Sequence, residues 1–381
     1  MRATLVAVLV ALLAAVACST SGGSAPGASP DGAAQEDGSS TPDSSTADSK
    51  GDDGSMPTSD ASDAAAYPHW ACVPPYSTPA TRDAALWPFA PDSPWNTPLG
   101  AGAQFEQSTD ACTKDIGGSP NGKGINSHEW SHPVYLASAS DPTVNLYENS
   151  KLVDGNVHCP ANAQPALPLP PTTDAHLHIV EPAHHFLDEM WEASKVSDGW
   201  NSQAWAKTDL YGPGVGQGGV RAYGGSAIGG LIRAGELKAE IRHVLAFAID
   251  QSQQKDSWVW PATTNDQAAA GNYTGHLPMG QLVGIPPGLD LCTLGLSTAG
   301  LVFARALQDY GAYLVDSSGG LAFYAEPRVE DDAALGEASL LNDARTDLAK
   351  IVPQLRCVTD STMATPGGGG PRRAPPAPNV P

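Results

Sequence analysis

The chain has 381 residues, with 41 Asp and Glu against 20 Lys and Arg, for a formal net charge of −21. That balance argues against nucleic-acid binding, which draws on a basic face. It is compatible with simple solubility, and it points to no particular partner.

Met1 and Arg2 lead into an apolar stretch, residues 3–17, that ends at Cys18. A short basic start, a brief hydrophobic core and small residues before a cleavage point describe a signal peptide over residues 1–17. A spanning helix would need about twenty apolar residues. Ala15-Val16-Ala17-Cys18 resembles a bacterial lipobox, with Ala15 where Leu is usual. The resemblance implies lipidation of Cys18 and a membrane-anchored lipoprotein. Ser19, where an Asp would retain the chain, implies the outer membrane or cell surface.

Residues 18–66 hold Asp31, Glu36, Asp37, Asp43, Asp48, Asp52, Asp53, Asp60 and Asp63 against a single Lys50, with almost no large apolar side chain. Such a segment cannot bury enough surface to offset its chain entropy, so it reads as a disordered tether reaching about 40 Å. Residues 361–381, rich in Gly and Pro, read as a disordered tail. Residues 67–360 remain as one folded domain. After lipidation five cysteines are left, Cys72, Cys112, Cys159, Cys292 and Cys357. The odd count predicts two disulfides and one free thiol, with Cys357 pairing to an early cysteine.

Within the domain, short apolar runs bounded by turn residues fall at 133–138, 144–147, 177–180, 186–193, 204–210, 243–249, 282–285, 312–315 and 321–324. This pattern predicts a mostly β fold, an antiparallel β-sandwich of jelly-roll type. Helical spacing of apolar residues predicts two helices, at 298–309 and 335–352.

Several stretches could carry chemistry. His128-Glu129-Trp130-Ser131-His132 matches the H-E-x-x-H zinc peptidase signature, which works only on a helix. The loop-like residues before it and Pro133 after it argue for a chance match on a loop. Asp174-Ala175-His176-Leu177-His178 is a second cluster. On a strand both imidazoles point to one side and could share a divalent metal, with Asp174 or Glu181 as third ligand. No cofactor is otherwise expected. Glu189 beside Trp191, followed by Trp200, suits a sugar-binding face. The glycine pairs at 224–230 lack the spacing of a phosphate loop and read as places of close backbone approach. Arg233, Glu236 and His243 then stand close together and could form an acid–base site, or equally a structural ion-pair network.

The stretch 229–249, with its G-L-I-R-x-x-E and I-x-H pieces, resembles a group of uncharacterised secreted bacterial proteins with the pattern G-L-[IV]-R-x-x-E…I-x-H-A-L and a later Y-G…D. Val244 stands where that pattern has Ala. The resemblance implies that Asp174, His176, Glu189, Arg233, Glu236, His243, Tyr310 and Asp316 belong to one shared feature. The leading expectation is a surface lipoprotein that binds and cleaves extracellular or cell-wall polysaccharide. As a hydrolase it would use two of Glu189, Glu236 and Asp316. As a lyase it would use His243 or Tyr310 as base and Arg233 to neutralise a uronate. The alternatives are a non-catalytic carbohydrate-binding or structural lipoprotein, and a zinc peptidase through His128 and His132.

Overall fold

The computed structural model describes residues 70–119, 121–168, 174–266 and 271–380. The expected signal peptide, Cys18 and the tether lie outside the described residues. The strands in chain order are β1 (Lys123–Asn126), β2 (Val134–Leu136), β3 (Thr143–Glu148), β4 (Lys151–His158), β5 (Leu177–Val180), β6 (Phe186–Trp191), β7 (Ser194–Val196) and β8 (Gly199–Ser202). They continue with β9 (Ala204–Asp209), β10 (Leu245–Ile249), β11 (Gln254–Trp258), β12 (Leu277–Met279), β13 (Leu282–Gly284), β14 (Ala312–Ser317), β15 (Leu321–Tyr324) and β16 (Arg356–Cys357). The helices are α1 (Ala111–Gly117), α2 (Thr298–Asp309), α3 (Arg328–Asp331) and α4 (Ala338–Ile351).

The largest sheet has six strands in the order β1-β15-β10-β14-β13-β16. Its central strand β10 reads Leu-Ala-Phe-Ala-Ile with every residue buried, as expected of a strand covered on both faces. β10 and β14 run parallel, so the chain between them must cross over, and it does so through α2. Ser297 caps that helix by accepting from the Gly300 amide at 3.0 Å, which satisfies one of its orphan donors. Phe303 of α2 meets Phe323 of β15 edge-on, with centroids 4.9 Å apart.

Two four-stranded sheets, β2-β5-β6-β9 and β4-β3-β8-β7, share a second, smaller core. Leu177, Ile179 and Met190 come from the first; Leu146 and Trp200 come from the second. The alternation of β5 sends Leu177 and Ile179 to this core and leaves His176 and His178 on the other face, toward the six-stranded sheet. The β-rich expectation therefore holds. The sheets are mixed, however, and not purely antiparallel: β1–β15, β10–β14, β11–β12, β2–β5 and β3–β8 are parallel pairs. Period-two patterning reports which residues face a core, and it is blind to strand direction.

Disulfides join Cys72 to Cys292 and Cys112 to Cys357, and Cys159 is free and buried. Residues 361–380, expected to be disordered, are packed instead. The Gly100 amide donates to Gly367 O at 2.9 Å, Ala101 N to Pro371 O at 2.8 Å, and Arg373 N to Leu99 O at 3.0 Å. Ala374 and Ala377 are buried. Composition missed this because the tail's backbone, not its side chains, makes most of the bonds. All described residues fall in one unit, residues 59–381, and among them no helix is long and apolar enough to cross a membrane.

Candidate functional site

Where the six-stranded sheet meets β5 lies a cleft of about 540 Å³. It runs into a second hollow of about 380 Å³ that shares Asp174, His176, Arg221, Asp316 and Ser317 with it. Trp130 stands on the rim of the first, 47% exposed, and Trp191 on the second.

Each functional side chain is placed by a local device. Asp316 is the fifth residue of β14, and it follows a bulge: Phe247 pairs with Leu314, whereas its neighbour Ala248 pairs with Asp316. Val315 is the extra residue, and bulges re-aim side chains in this way. Tyr324 closes β15. Arg221 sits on a long strandless loop, and its carbonyl accepts from the Gly224 amide at 2.8 Å. That loop is held by close backbone approach, since a Cβ on Gly219 would lie 1.9 Å from the Gly225 carbonyl. Trp130 and Ala175, flanking the site residues, have positive φ of 50° and 29°, conformations that L-residues hold only where their surroundings impose them.

Arg221 is the hub. Its Nε donates to Asp316 Oδ2 at 2.8 Å, its guanidinium lies 4.0 Å from the Tyr324 ring centroid, and its Nη1 donates to His132 Nε2. Burial pushes the Asp316 carboxyl up to about 6, opposed by Arg221 and helped by the charge of Asp174. Burial likewise raises the Tyr324 phenol. Trp191 Nε1 donates to Asp174 Oδ1 at 3.3 Å.

Behind the cleft wall the two histidine motifs meet. β2 and β5 run parallel with Val134 opposite His178, which sets His132 beside His176, ring centroids 4.4 Å apart. His132 Nδ1 and His178 Nε2 are 3.1 Å apart. One ligand nitrogen from each of His132, His176 and His178 lies within 4.8 Å of the others. Burial, then Arg221, holds His178 down to about 3; burial also puts His132 and His176 well below the usual imidazole range. All three are therefore neutral at neutral pH. Deeper still, Glu189 Oε2 lies 3.9 Å from His178 Nδ1. Glu189 accepts from Ser226 Oγ and the Ala227 amide at 2.6 Å each, and from Thr208 Oγ1.

The residues expected to form one feature thus divide into two. Asp174, His176 and Asp316 line the cleft, and Glu189 supports it from behind. Arg233, Glu236 and His243 cluster as expected, but in the interior. His243 Nε2 is 3.1 Å from Glu236, the Arg233 amide donates to Glu236 at 2.7 Å, and Arg233 pairs with buried Glu326 at 3.3 Å. Burial opposes the charge on His243, but Glu236 outweighs it and raises the pKa. Arg233, Glu236 and His243 are thus paired with one another and with Glu326, away from the cleft. Tyr310 is buried edge-on to Tyr76, and Trp200 lies in the smaller core under Lys195. Neither reaches the cleft. The backbone at 128–132 is bends and one bridge, not helix, and His128 turns outward to Asp331 at 2.6 Å. The helix that would set His128 and His132 on one face is therefore absent.

No protein-family model, curated protein or solved structure matches the chain.

Sequence reasoning did not single out Arg221, Tyr324 or Trp130 as site residues. Arg221 lies just ahead of the glycine pairs at 224–230, and nothing in its local sequence marks it. Tyr324 was legible only as the end of a strand.

Proposed function

We propose that the chain is an exported, membrane-anchored lipoprotein whose folded domain binds an extracellular or cell-wall polysaccharide and hydrolyses it. The observation that carries this reading is the pairing of Asp316 and Asp174 in one long cleft with tryptophans at its rim. A carboxyl raised to about 6 is suited to give a proton to a glycosidic oxygen. A second carboxylate can take the proton of the attacking water or attack the sugar itself. Trp130 and Trp191 offer indole faces to the apolar side of a sugar ring. Along the long cleft two cations, Lys123 and Arg221, face three acidic side chains, Asp174, Asp266 and Asp316, and Arg221 is already bound to Asp316. This excess of acidic groups favours a neutral glycan over a polyuronate.

A lyase is the second reading, because Arg221, His176 and Tyr324 also meet in the cleft. It is disfavoured by the engagement of Arg221 and by the raised Tyr324 phenol. The test is a panel of neutral and uronate polysaccharides, followed by reducing ends and by absorbance of unsaturated products. Hydrolysis predicts new reducing ends without that absorbance, and a loss of about 100-fold or more in Asp316→Asn and Asp174→Asn. Unsaturated products would establish the lyase. Retention of glycan without cleavage would leave a binding protein.

A further inference from the structure

The histidine cluster has a different use. We infer that His132, His176 and His178 form a binding site for a divalent transition-metal ion, zinc foremost. This goes beyond the glycan reading and stands or falls without it.

Three neutral imidazoles with converging nitrogens are the donor set of a three-histidine site. Nitrogen donors bonded to one tetrahedral ion at about 2.0–2.1 Å lie about 3.3 Å apart, and His132 Nδ1 and His178 Nε2 are 3.1 Å apart. An all-imidazole set selects zinc, copper, nickel or cobalt over calcium and magnesium. Glu189 lies 3.9 Å from the far nitrogen of His178, beyond hydrogen-bond distance, and adds an acidic group behind the cluster. Asp174 and Asp316 line the cleft on the other side, so carboxylates stand on both sides of the three rings. His132 and His176 form part of the cleft wall and His178 is sealed behind them. The coordination position left open by three protein ligands therefore faces the cleft.

Arg221 supplies a signature of its own. A guanidinium only donates, so its contact with His132 Nε2 places the hydrogen of that ring on Nδ1, pointing to His178 Nε2. In the metal-free chain a proton occupies the position of the ion. Loading the site moves that hydrogen to Nε2, where it would face the Arg221 donor, so Arg221 must leave His132. Metal and the Arg221 contact are alternatives.

The experiment uses the full chain, stripped with chelator, dialysed against zinc(II) and assayed for bound metal, with cobalt(II) absorption as a second probe. About one zinc per chain is expected, with an intense visible cobalt band of tetrahedral type. His176→Gln and His178→Gln should abolish both, and the exposed His276→Gln should change nothing. Arg221→Met should tighten binding about 10-fold or more, by removing a like charge; misfolding cannot mimic that gain. Absence of stoichiometric zinc in the parent chain and in Arg221→Met would overturn the site. So would zinc that persists in both histidine variants. Because bound metal is the readout, failure to cleave any glycan leaves this result unaffected.

Discussion

Asp188 shows how a residue outside the cleft reports on its surroundings. It lies buried on β6, accepting from Trp205 Nε1 at 3.0 Å, and burial pushes its carboxyl up to about 6. A carboxyl raised above its unfolded value favours folding below that value, near 3.8, and loses this advantage as pH rises through about 6. Asp188→Asn keeps the acceptor and removes the charge. It should stabilise the chain by about 2 kcal/mol at pH 8, with the gap closing by pH 4; urea unfolding at both pH values measures it. The hydrolysis proposed above, with Asp316 as the proton donor, predicts a rate that falls as pH rises through about 6. Arg221→Ala removes the group that opposes the upward shift and should move that limb to higher pH in a pH–rate profile. At this scale the sequence was half legible. His132 and His176 each stood out within their own motif, but their contact depends on the parallel pairing of β2 with β5, which no local spacing encodes.

Elements were easier to read than residues, and the reasons are physical. Helix α2 is found at 298–309 because its apolar spacing and its serine cap agree with each other. Ser297→Ala should cost about 1 kcal/mol, seen as a lower midpoint in thermal unfolding. Strands such as β10 announce themselves by unbroken apolar runs. β4 escaped because Asp154-Gly155-Asn156 interrupts it and Asn156 takes a φ of 58°, and β1 because Lys-Gly-Ile-Asn carries one large apolar residue. The β3–β4 hairpin pairs Glu148 with Lys151 around Asn149 and Ser150, both at positive φ. That two-residue turn prefers Asn-Gly, so Ser150→Gly should raise stability by about 0.5–1 kcal/mol, measured in the same unfolding assay. Strand direction was the illegible part, and the bulge at Val315 could not be foreseen, since both depend on distant neighbours.

At the scale of the whole molecule, contacts between the two ends of the described chain dominate. The Cys112–Cys357 bridge spans 245 residues, and closing so long a loop removes much unfolded-state entropy. Cys112→Ser with Cys357→Ser should cost about 2–5 kcal/mol, measured by denaturant unfolding under non-reducing conditions. Truncation after residue 360 should lower the melting temperature further, because it strips the partners of Leu99, Gly100 and Ala101 and the Pro378 carbonyl that accepts from Arg82 Nε at 2.7 Å. These last contacts also impose an order in time. Synthesis runs from the first residue to the last, so the segment around Leu99 waits for some 270 further residues before the partners at 367–373 are made. A growing chain that has passed the ribosome up to residue 360 still leaves the Gly100 and Ala101 amides without the Gly367 and Pro371 carbonyls that accept from them. Residues 361–380 therefore act as a clasp, closing over a segment that was made long before them.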